Sequence, residues 1–338
     1  MLLTRICDLA RVHSPLEPAD LAVPRPGPDE VLIRVAACGV CHTELDEIEG
    51  RTPPPALPVV PGHEVVGHVE ELGPSATGLR RGDRVGVAWI YRSCGHCGFC
   101  ASGRENLCPE FQATGRDANG GYAQYMTAPA AFAHPIPDCL SDVEAAPLLC
   151  AGAVGYRSLR LANLHQGQCL GLTGFGASGH LVLKMVRHRY PGVGVYVFAR
   201  SPGERAFALS LGAAWSGDCT DTCPVPLDAI IDTTPVWTPV VEALEALSPG
   251  GRLVINAIRK EDLDKDALLG LDYANGLWME KEIRSVANVT RQDVREFLGL
   301  ACELGFGPEV QEYALDEANQ ALLDLKHRRI RGAKVLRV

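Results

Sequence analysis

The stretch CLGLTGFGASGHLVLKMVRHR, residues 169–189, decides the fold of this chain. A short apolar run leads into a G-x-G-x-x-G turn, which opens a segment with helical periodicity. In that context the first glycine makes a tight turn, the second lets backbone approach a pyrophosphate, and the third permits close helix–strand packing. The alternative is a glycine turn without a ligand. The pattern predicts a dinucleotide site on Gly174, Gly176, Ala177, Ser178 and Gly179.

The segments around this turn predict the fold class. After about residue 153, apolar runs such as VGVYVFAR and LDAIIDTTP alternate with helical stretches such as GERAFALSLGA. Strands that are apolar on both faces and alternate with helices indicate a doubly wound parallel sheet. Residues 1–150 are rich in Pro and Gly with short β-type runs, which predicts an antiparallel, turn-rich domain. The chain is therefore predicted to be α/β, with roughly two domains.

The end of the second strand discriminates between the two nicotinamide cofactors. NAD-binding folds of this kind carry an acidic residue about 20 positions after the glycine turn, on the ribose 2′-hydroxyl. Here that place is occupied by Ala199, followed by Arg200 and Ser201, and the first carboxylate is Glu204. Arginine and serine suit a 2′-phosphate. We predict NADP(H) in preference to NAD(H); the alternative is that Arg200 stacks on adenine in either cofactor.

Four cysteines in the run CGHCGFCASGRENLC, residues 94–108, have the spacing of a metal site. Four thiolates in tetrahedral range form a closed Zn²⁺ site with no open position, which is typical of structural zinc. Alternatives are a disulfide pair and an Fe–S cluster; Pro109 after the last cysteine is found in some cluster motifs, but the cysteine spacing differs. We predict structural zinc on Cys94, Cys97, Cys100 and Cys108.

Three further ligand candidates, Cys41, His63 and Cys150, are far apart in the chain. Two thiolates and one imidazole leave the fourth position for water or substrate, as a catalytic zinc requires. Spacing alone makes this set a weak prediction, because single buried Cys and His residues mostly serve packing.

Composition and charge exclude several classes of function. The chain has 338 residues, is 46% hydrophobic and has a net charge of −9, which disfavours a nucleic-acid surface. The first residues lack the apolar region of a signal peptide, and an uninterrupted apolar run of membrane-spanning length is absent. Thirteen cysteines, many at metal-type spacing, favour a reducing compartment. We therefore expect a cytoplasmic protein with neither nucleic-acid nor membrane partners.

Several motifs in one order give the chain a clear family resemblance. ACGVCHTE, VVPGHEVVG, RGDRVG, the four-cysteine run, PLLCAG and the glycine turn together resemble the zinc-dependent medium-chain alcohol dehydrogenases, in particular their bacterial and cinnamyl-alcohol-type branches. The resemblance spans nearly the whole chain. It implies a GroES-like, mainly antiparallel β catalytic domain, residues 1–152 and 289–338, split around a Rossmann domain, residues 153–288.

The resemblance also implies residue roles. Cys41, His63 and Cys150 match the catalytic zinc ligands, and Glu64 matches a carboxylate that can exchange onto the metal. Thr43 matches the hydroxyl that contacts the substrate oxygen. His42 and Arg331 match groups that bind cofactor phosphates. Trp89 and Ile90 are expected in the wall of the substrate pocket.

One position departs from the family pattern. Where a histidine commonly relays protons, this chain has Asp46. A carboxylate with the ordinary pKa of about 3.9 is a poor relay at neutral pH. Either burial raises the pKa of Asp46 or water replaces the relay.

The resemblance implies an enzyme that transfers hydride between an alcohol and NADP(H), using about two Zn²⁺ ions per chain. The expected substrates are primary medium-chain or aromatic alcohols and their aldehydes, and the expected assembly is a homodimer or homotetramer. Alternatives are an NAD(H)-preferring relative, a zinc-free quinone or enoyl reductase, and a zinc-binding relative with weakened or no catalysis.

Overall fold

The computed structural model describes residues 1–305, 307–327 and 332–338. The chain forms two compact units, which we call the split unit (Met1–Ala153 with Val289–Val338) and the inserted unit (Val154–Asn288). Arg331, predicted to bind a cofactor phosphate, lies outside the described residues. Among the residues described, the helices are all too short or too polar to cross a membrane.

The strands, numbered in chain order, are β1 Leu2–Leu3, β2 Leu16–Glu17, β3 Glu30–Val40, β4 Val65–Leu72, β5 Arg84–Val87, β6 Ile90–Arg92, β7 Gln112–Ala113, β8 Tyr125–Pro129, β9 Ala133–Pro135, β10 Cys169–Thr173, β11 Gly194–Phe198, β12 Trp215–Gly217, β13 Leu227–Asp232, β14 Leu247–Ile255, β15 Glu282–Ser285, β16 Val310–Ala314 and β17 Ala333–Arg337. The helices are α1 His42–Ile48, α2 Gly98–Ala101, α3 Asp142–Pro147, α4 Ala153–Ala162, α5 Ala177–Arg189, α6 Pro202–Ser210, α7 Thr238–Ala246, α8 Arg291–Leu304 and α9 Ala318–Lys326.

The split unit is built on a mainly antiparallel sheet with the order β16-β17-β3-β4-β5-β9, and β8 also pairs with β3. Adjacent strands in this sheet are antiparallel, except that β16 and β17 are parallel to each other. The long strand β3 is almost entirely buried because it has partners on both edges and apolar side chains on both faces. It ends at Val40, so that the next residue, Cys41, starts α1 inside the buried part of the unit.

The inserted unit contains a six-stranded parallel sheet with the order β12-β11-β10-β13-β14-β15. The central strands β10 and β13 are buried on both faces, as apolar strands between helical layers should be. The strand order reverses between β10 and β13, and this switch point is where doubly wound sheets bind ligands. The predicted α/β fold class, GroES-like domain plus Rossmann sheet, is confirmed.

Candidate active site

The split unit brings together the dispersed residues Cys41, His63 and Cys150, with Glu64 beside them. One ligand atom from each lies within 4.8 Å of all the others, and the Sγ atoms of Cys41 and Cys150 are 3.9 Å apart. Cys41 is the N-cap of α1, His63 precedes β4, and Cys150 lies in a π-helical turn, Leu148–Gly152, after α3. Single π turns inside helices often mark functional positions.

His63 is oriented by a carboxylate that the sequence analysis did not identify. Its Nδ1 lies 2.6 Å from Oε1 of Glu44, and Oε2 of Glu44 accepts the Cys41 backbone N–H at 2.8 Å. The other ring nitrogen, Nε2, is buried and has no hydrogen-bond partner among the described residues. A carboxylate on one imidazole nitrogen with the second nitrogen left open is the usual arrangement of a metal-binding histidine.

The acidic groups of Cys41, Cys150 and Glu64 lie so close together that their ionised forms favour a bound cation. Hydrogen bonding to Cys150 lowers the pKa of Cys41 well below its usual value, whereas the same contact, together with burial, raises the pKa of Cys150. Burial and then the charge of Cys41 raise the pKa of Glu64 well above that of a free carboxyl. Acidic groups this close resist ionising together unless a positive ion joins them. Two thiols, an open imidazole nitrogen and a carboxyl therefore fit Zn²⁺.

Two further groups shape this cluster and were missed from the sequence. A methyl group on Gly39 would coincide with the Glu64 carboxylate, so only glycine leaves room for it. Burial and the neighbouring Glu44 raise the pKa of Glu47 to about 9.

The sequence did contain a signal for Glu44, because a carboxylate three residues after a helix N-cap is the pattern of a capping box.

The other predicted site residues of the split unit occupy different environments. Thr43 is buried, and its Oγ1 lies 3.8 Å from Sγ of Cys41, whereas His42 is exposed at the start of α1. Asp46 is buried and accepts a bond from Nε of Arg51 at 2.5 Å. The Trp89 ring packs against Phe111 with centroids 5.3 Å apart.

Ile90 is buried in β6, opposite Ala113 of β7.

The four-cysteine lobe is a second donor cluster in the split unit. One donor atom from each of Cys94, Cys97, Cys100 and Cys108 lies within 4.8 Å of the others, and all four are free thiols, so they do not form the alternative disulfide pair. Backbone N–H groups of Cys97 and Cys94 donate to Sγ of Cys94 and Cys108 at 3.3 and 3.4 Å. Backbone N–H groups of His96 and Cys97 lower the pKa of Cys94 to about 6. Burial, by contrast, raises the pKa of Cys108 to about 11. Four converging thiols fit Zn²⁺.

A buried carboxylate joins the lobe to the C-terminal segment of the split unit. Glu105 accepts the backbone N–H and the Nε–H of Arg291 at 2.8 and 3.1 Å. Arg291 is the first residue of α8, so the carboxylate also faces the positive end of that helix.

The structure contains a disulfide between Cys139 and Cys302, whose Cα atoms are 5.9 Å apart. The bond differs from the prediction of a reducing compartment, which rests on the number and spacing of the cysteines. No spacing signal could indicate this bond, because the two cysteines are 163 residues apart and meet only when the two chain segments of the split unit pack together.

In the inserted unit, the glycine turn has the geometry of a nucleotide cradle. Gly174 has a φ of +79°, and a Cβ there would lie 2.6 Å from Oγ1 of Thr233. A Cβ on Gly176 would meet nothing within 4 Å, and one on Gly179 would lie 2.8 Å from the Gly174 carbonyl oxygen. The open side at Gly176 and the close strand–helix approach at Gly179 fit a bound pyrophosphate. Ala177 and Ser178 form the first turn of α5.

The residues after β11 also lie at this edge of the sheet. Ala199 is buried, while Arg200 is exposed and has no ion-pair partner among the residues described. Ser201 is the N-cap of α6, and its hydroxyl makes no capping bond. The nearby carboxylate of Asp218 is occupied by Arg205 at 3.1 Å, a pair that the sequence analysis did not anticipate.

Comparisons with known proteins agree with this geometry. The family model for the alcohol dehydrogenase GroES-like domain matches residues 27–138. The chain is 47% identical to a probable alcohol dehydrogenase, AdhA, of Mycobacterium tuberculosis, over 95% of this chain and 92% of the relative. Among solved structures, a cinnamyl alcohol dehydrogenase from Sorghum bicolor has 30% identity and a TM-score of 0.81, covering 95% and 93% of the two chains. A cobalt- and zinc-bound thermostable alcohol dehydrogenase from Pyrobaculum aerophilum has 26% identity and a TM-score of 0.82, covering 97% of each.

The chain belongs to the zinc-dependent medium-chain alcohol dehydrogenases. It is therefore an oxidoreductase that acts on small molecules with a nicotinamide cofactor and zinc. The predicted family and enzyme class are confirmed, and the non-enzymatic and zinc-free alternatives are not supported.

Proposed function

We propose that Cys41, His63 and Cys150 hold the catalytic zinc and that the lobe cysteines hold a structural zinc. The supporting observation is the convergence of two thiols on the open Nε2 of His63, whose other nitrogen is fixed by Glu44. Zinc bound there supplies Lewis-acid polarisation of an alcohol or aldehyde oxygen, and the nicotinamide cofactor carries the hydride.

The residues of the chain would orient the substrate and manage the proton. The buried hydroxyl of Thr43, near Cys41, can accept a hydrogen bond from an alcohol and hold its oxygen in place, and it can take up the alcohol proton as it gives its own proton to water. Glu44 fixes the tautomer of His63, and Glu64 is a nearby carboxyl that can exchange onto the metal. Because the Asp46 carboxylate accepts a hydrogen bond from Arg51, we propose that water, rather than Asp46, accepts the proton released from the alcohol.

NADP(H) is the proposed cofactor. The guanidinium of Arg200 is without an ion pair among the described residues, the Ser201 hydroxyl makes no cap bond, and both stand at the positive end of α6. A 2′-phosphate would use all three features, whereas a ribose hydroxyl pair would lack the carboxylate that usually binds it. The alternative remains an enzyme that prefers NAD(H).

The test compares kcat/KM for NADPH and NADH in the native enzyme and in Arg200→Ala. The native enzyme should prefer NADPH, and the substitution should lower kcat/KM for NADPH by about 10- to 100-fold with little effect on NADH. Arg187→Ala, an exposed arginine on α5 of the same unit, is the matched control. A native preference for NADH would overturn the NADP(H) assignment.

For the substrate we propose primary medium-chain or aromatic alcohols and aldehydes. The aromatic pair Trp89 and Phe111 supports this choice, because two neighbouring rings offer a large apolar surface to an aromatic or medium-chain substrate. A panel of aldehydes reduced with NADPH tests it: benzaldehyde- and hexanal-type substrates should give higher kcat/KM than acetaldehyde, and the reverse order would reject the proposal.

We propose a cytoplasmic homodimer or homotetramer. Large apolar side chains are exposed along one segment of the inserted unit that ends in the edge strand β15: Ile258, Leu263, Leu269, Tyr273, Trp278, Met279 and Ile283. If these side chains form one surface, a second copy of the chain would cover apolar area that a monomer leaves in water. Light scattering after size exclusion should give a multiple of the 36.2 kDa chain mass, and a monomer at micromolar concentration would contradict the proposal. Free thiols in the lobe favour the cytoplasm, whereas the Cys139–Cys302 disulfide favours an oxidising compartment, and cell fractionation tests the proposal.

A further inference from the structure

A buried ion pair lies at the carboxyl edge of the sheet in the inserted unit. Asp232 is the last residue of β13 and is fully buried, and the side chain of Lys260, in the segment after β14, is 7% exposed. The Lys260 Nζ donates to the Asp232 carboxylate and to the carbonyl oxygens of Thr234 and Val236, at 2.8 and 2.9 Å for the last two. All three ammonium N–H groups are therefore used inside the protein.

The second carboxylate oxygen of Asp232 ties this pair to the central strand. Its Oδ1 accepts the Thr173 hydroxyl at 2.6 Å, the Thr234 hydroxyl at 2.7 Å and the Thr234 backbone N–H at 3.1 Å. Thr173 ends β10 and immediately precedes the glycine turn. The network thus joins the ends of β10 and β13, which flank the switch point, to the segment that carries Lys260.

The residue between these anchors, Thr233, packs directly on the glycine turn. Its hydroxyl donates to the Thr173 carbonyl oxygen at 3.1 Å, and its Oγ1 would lie 2.6 Å from a Cβ on Gly174. The backbone of the next residue, Thr234, is held in turn by Asp232 and Lys260, and the Thr233 N–H donates to the Thr173 carbonyl oxygen at 2.9 Å. The shape of the turn at Gly174 therefore depends on a network whose outermost member is Lys260.

A buried ion pair is weak evidence for a stability role, since well-packed apolar side chains are commonly as stable. Its value lies in fixed geometry, because three directional bonds to the ammonium allow only one arrangement of the loop. We infer that Lys260 is a positioning residue for the nucleotide: through Asp232 and Thr233 it holds the glycine turn in the shape that receives the pyrophosphate. The inference rests on the dinucleotide site assigned above, and not on the choice between NADP(H) and NAD(H).

Isothermal titration of Lys260→Met with NADPH and with NADH tests this role. We expect Kd to rise about tenfold for both cofactors by the same factor, because both carry the pyrophosphate. kcat at saturating cofactor should change less than about twofold, since Lys260 does not act on the reacting atoms. An unchanged Kd for both cofactors, whatever the melting temperature, would overturn the inference.

Lys281→Met is the matched control. Lys281 lies in the same unit and also donates to two backbone carbonyl oxygens, those of Leu244 and Asn275, at 2.7 and 2.6 Å. Its loss should lower the melting temperature without changing either Kd. If both lysine variants raise Kd in proportion to their loss of stability, Lys260 has only a structural role.

Two further variants keep the result interpretable. If Lys260→Met does not fold, because Asp232 is left buried and unpaired, the neutral double variant Asp232→Asn/Lys260→Met replaces it, with the same expected and contradicting values of Kd. Arg200→Ala separates this inference from the cofactor proposal: its failure to affect NADPH selectively would refute the 2′-phosphate site, while the paired rise in Kd for Lys260→Met would stand.

Discussion

The four-cysteine lobe and the group formed by Cys41, His63, Glu64 and Cys150, which we call the Cys41 cluster, both contain thiols but are assembled in different ways. The lobe draws its thiols from one loop, with only 14 positions between Cys94 and Cys108, whereas Cys41 and Cys150 are 109 positions apart. Backbone N–H groups support the lobe thiols, while the buried carboxylates of Glu44 and Glu64 surround the Cys41 cluster. With the proposed roles, the closed site of this chain is formed by local sequence, whereas its site with an open ligand position requires the packed fold.

The largest expected effect is the loss of turnover in Cys41→Ser. A serine hydroxyl is a poor zinc ligand, so kcat should fall by at least about 10³-fold while the melting temperature stays within a few degrees of the native value. Steady-state kinetics and circular dichroism measure both quantities. Cys38→Ala, a buried cysteine of β3 outside the ligand set, should keep most of the activity. Equal loss in both variants would mean that packing, and not zinc, explains the effect.

Cys100→Ser should separate the lobe from the Cys41 cluster. Removing one of the four proposed structural ligands should lower the melting temperature by about 10 °C, and kcat per folded molecule should stay within a fewfold of native. Calorimetry and kinetics on one preparation measure the two effects. Selective loss of catalysis with native stability would show that the roles of the two clusters had been exchanged.

The Cys139–Cys302 disulfide can be tested separately, because neither of its cysteines belongs to the lobe or to the Cys41 cluster. Cys302→Ser should lower the melting temperature under oxidising conditions by about 5–10 °C, since a long closed loop contributes about 2–4 kcal/mol. Under reducing conditions native and variant proteins should melt together. Thiol titration of the denatured, metal-free native chain should find two fewer reactive groups without reductant than with it; equal counts would contradict the bond.

Among the residues that the structure describes, the buried His134 has no carboxylate partner like that of His63. Burial, with Arg295 and Arg291 nearby, lowers the pKa of His134 to about 3. Because the unfolded chain binds this proton below about pH 6.5 and the folded one does not, stability should fall with falling pH by about 1 kcal/mol per pH unit. His134→Leu should show a shallower loss between pH 7 and 5 in denaturant titrations. Parallel curves would contradict the assignment.

The smallest expected effect is that of Asp46→Asn. Because Arg51 already engages the carboxylate, kcat should change less than about threefold, and the pH–rate profile should keep its shape. Arg51→Gln is the companion variant. A loss above tenfold that depends on pH in Asp46→Asn alone would make Asp46 a proton relay after all.

The difference between ligands close together in the chain and ligands far apart explains which features the sequence could predict. The lobe and the glycine turn are visible because their functional atoms come from consecutive residues, and the alternation of strands and helices predicted the α/β fold correctly. Cys41, His63 and Cys150 were found through family resemblance, since no spacing rule links positions so far apart.

The supporting residues were not predicted, because their partners are defined only in three dimensions. Gly39 leaves room for the Glu64 carboxylate because it has no side chain. Glu105 accepts a hydrogen bond from the first residue of α8, and Lys260 donates one to Asp232. A glycine in a strand, a glutamate in a loop and a lysine in a charged segment look ordinary in sequence. The disulfide had no local signal for the same reason.

The most direct test of the two-site account is zinc content and turnover measured on one preparation of Cys150→Ser. Cys150 belongs to the cluster with the open position and takes no part in the lobe. We predict about one zinc per chain instead of about two, kcat reduced by at least about 10³-fold, and a nearly native melting temperature. Retained turnover with one zinc, or a collapse of stability on losing that zinc, would contradict this prediction.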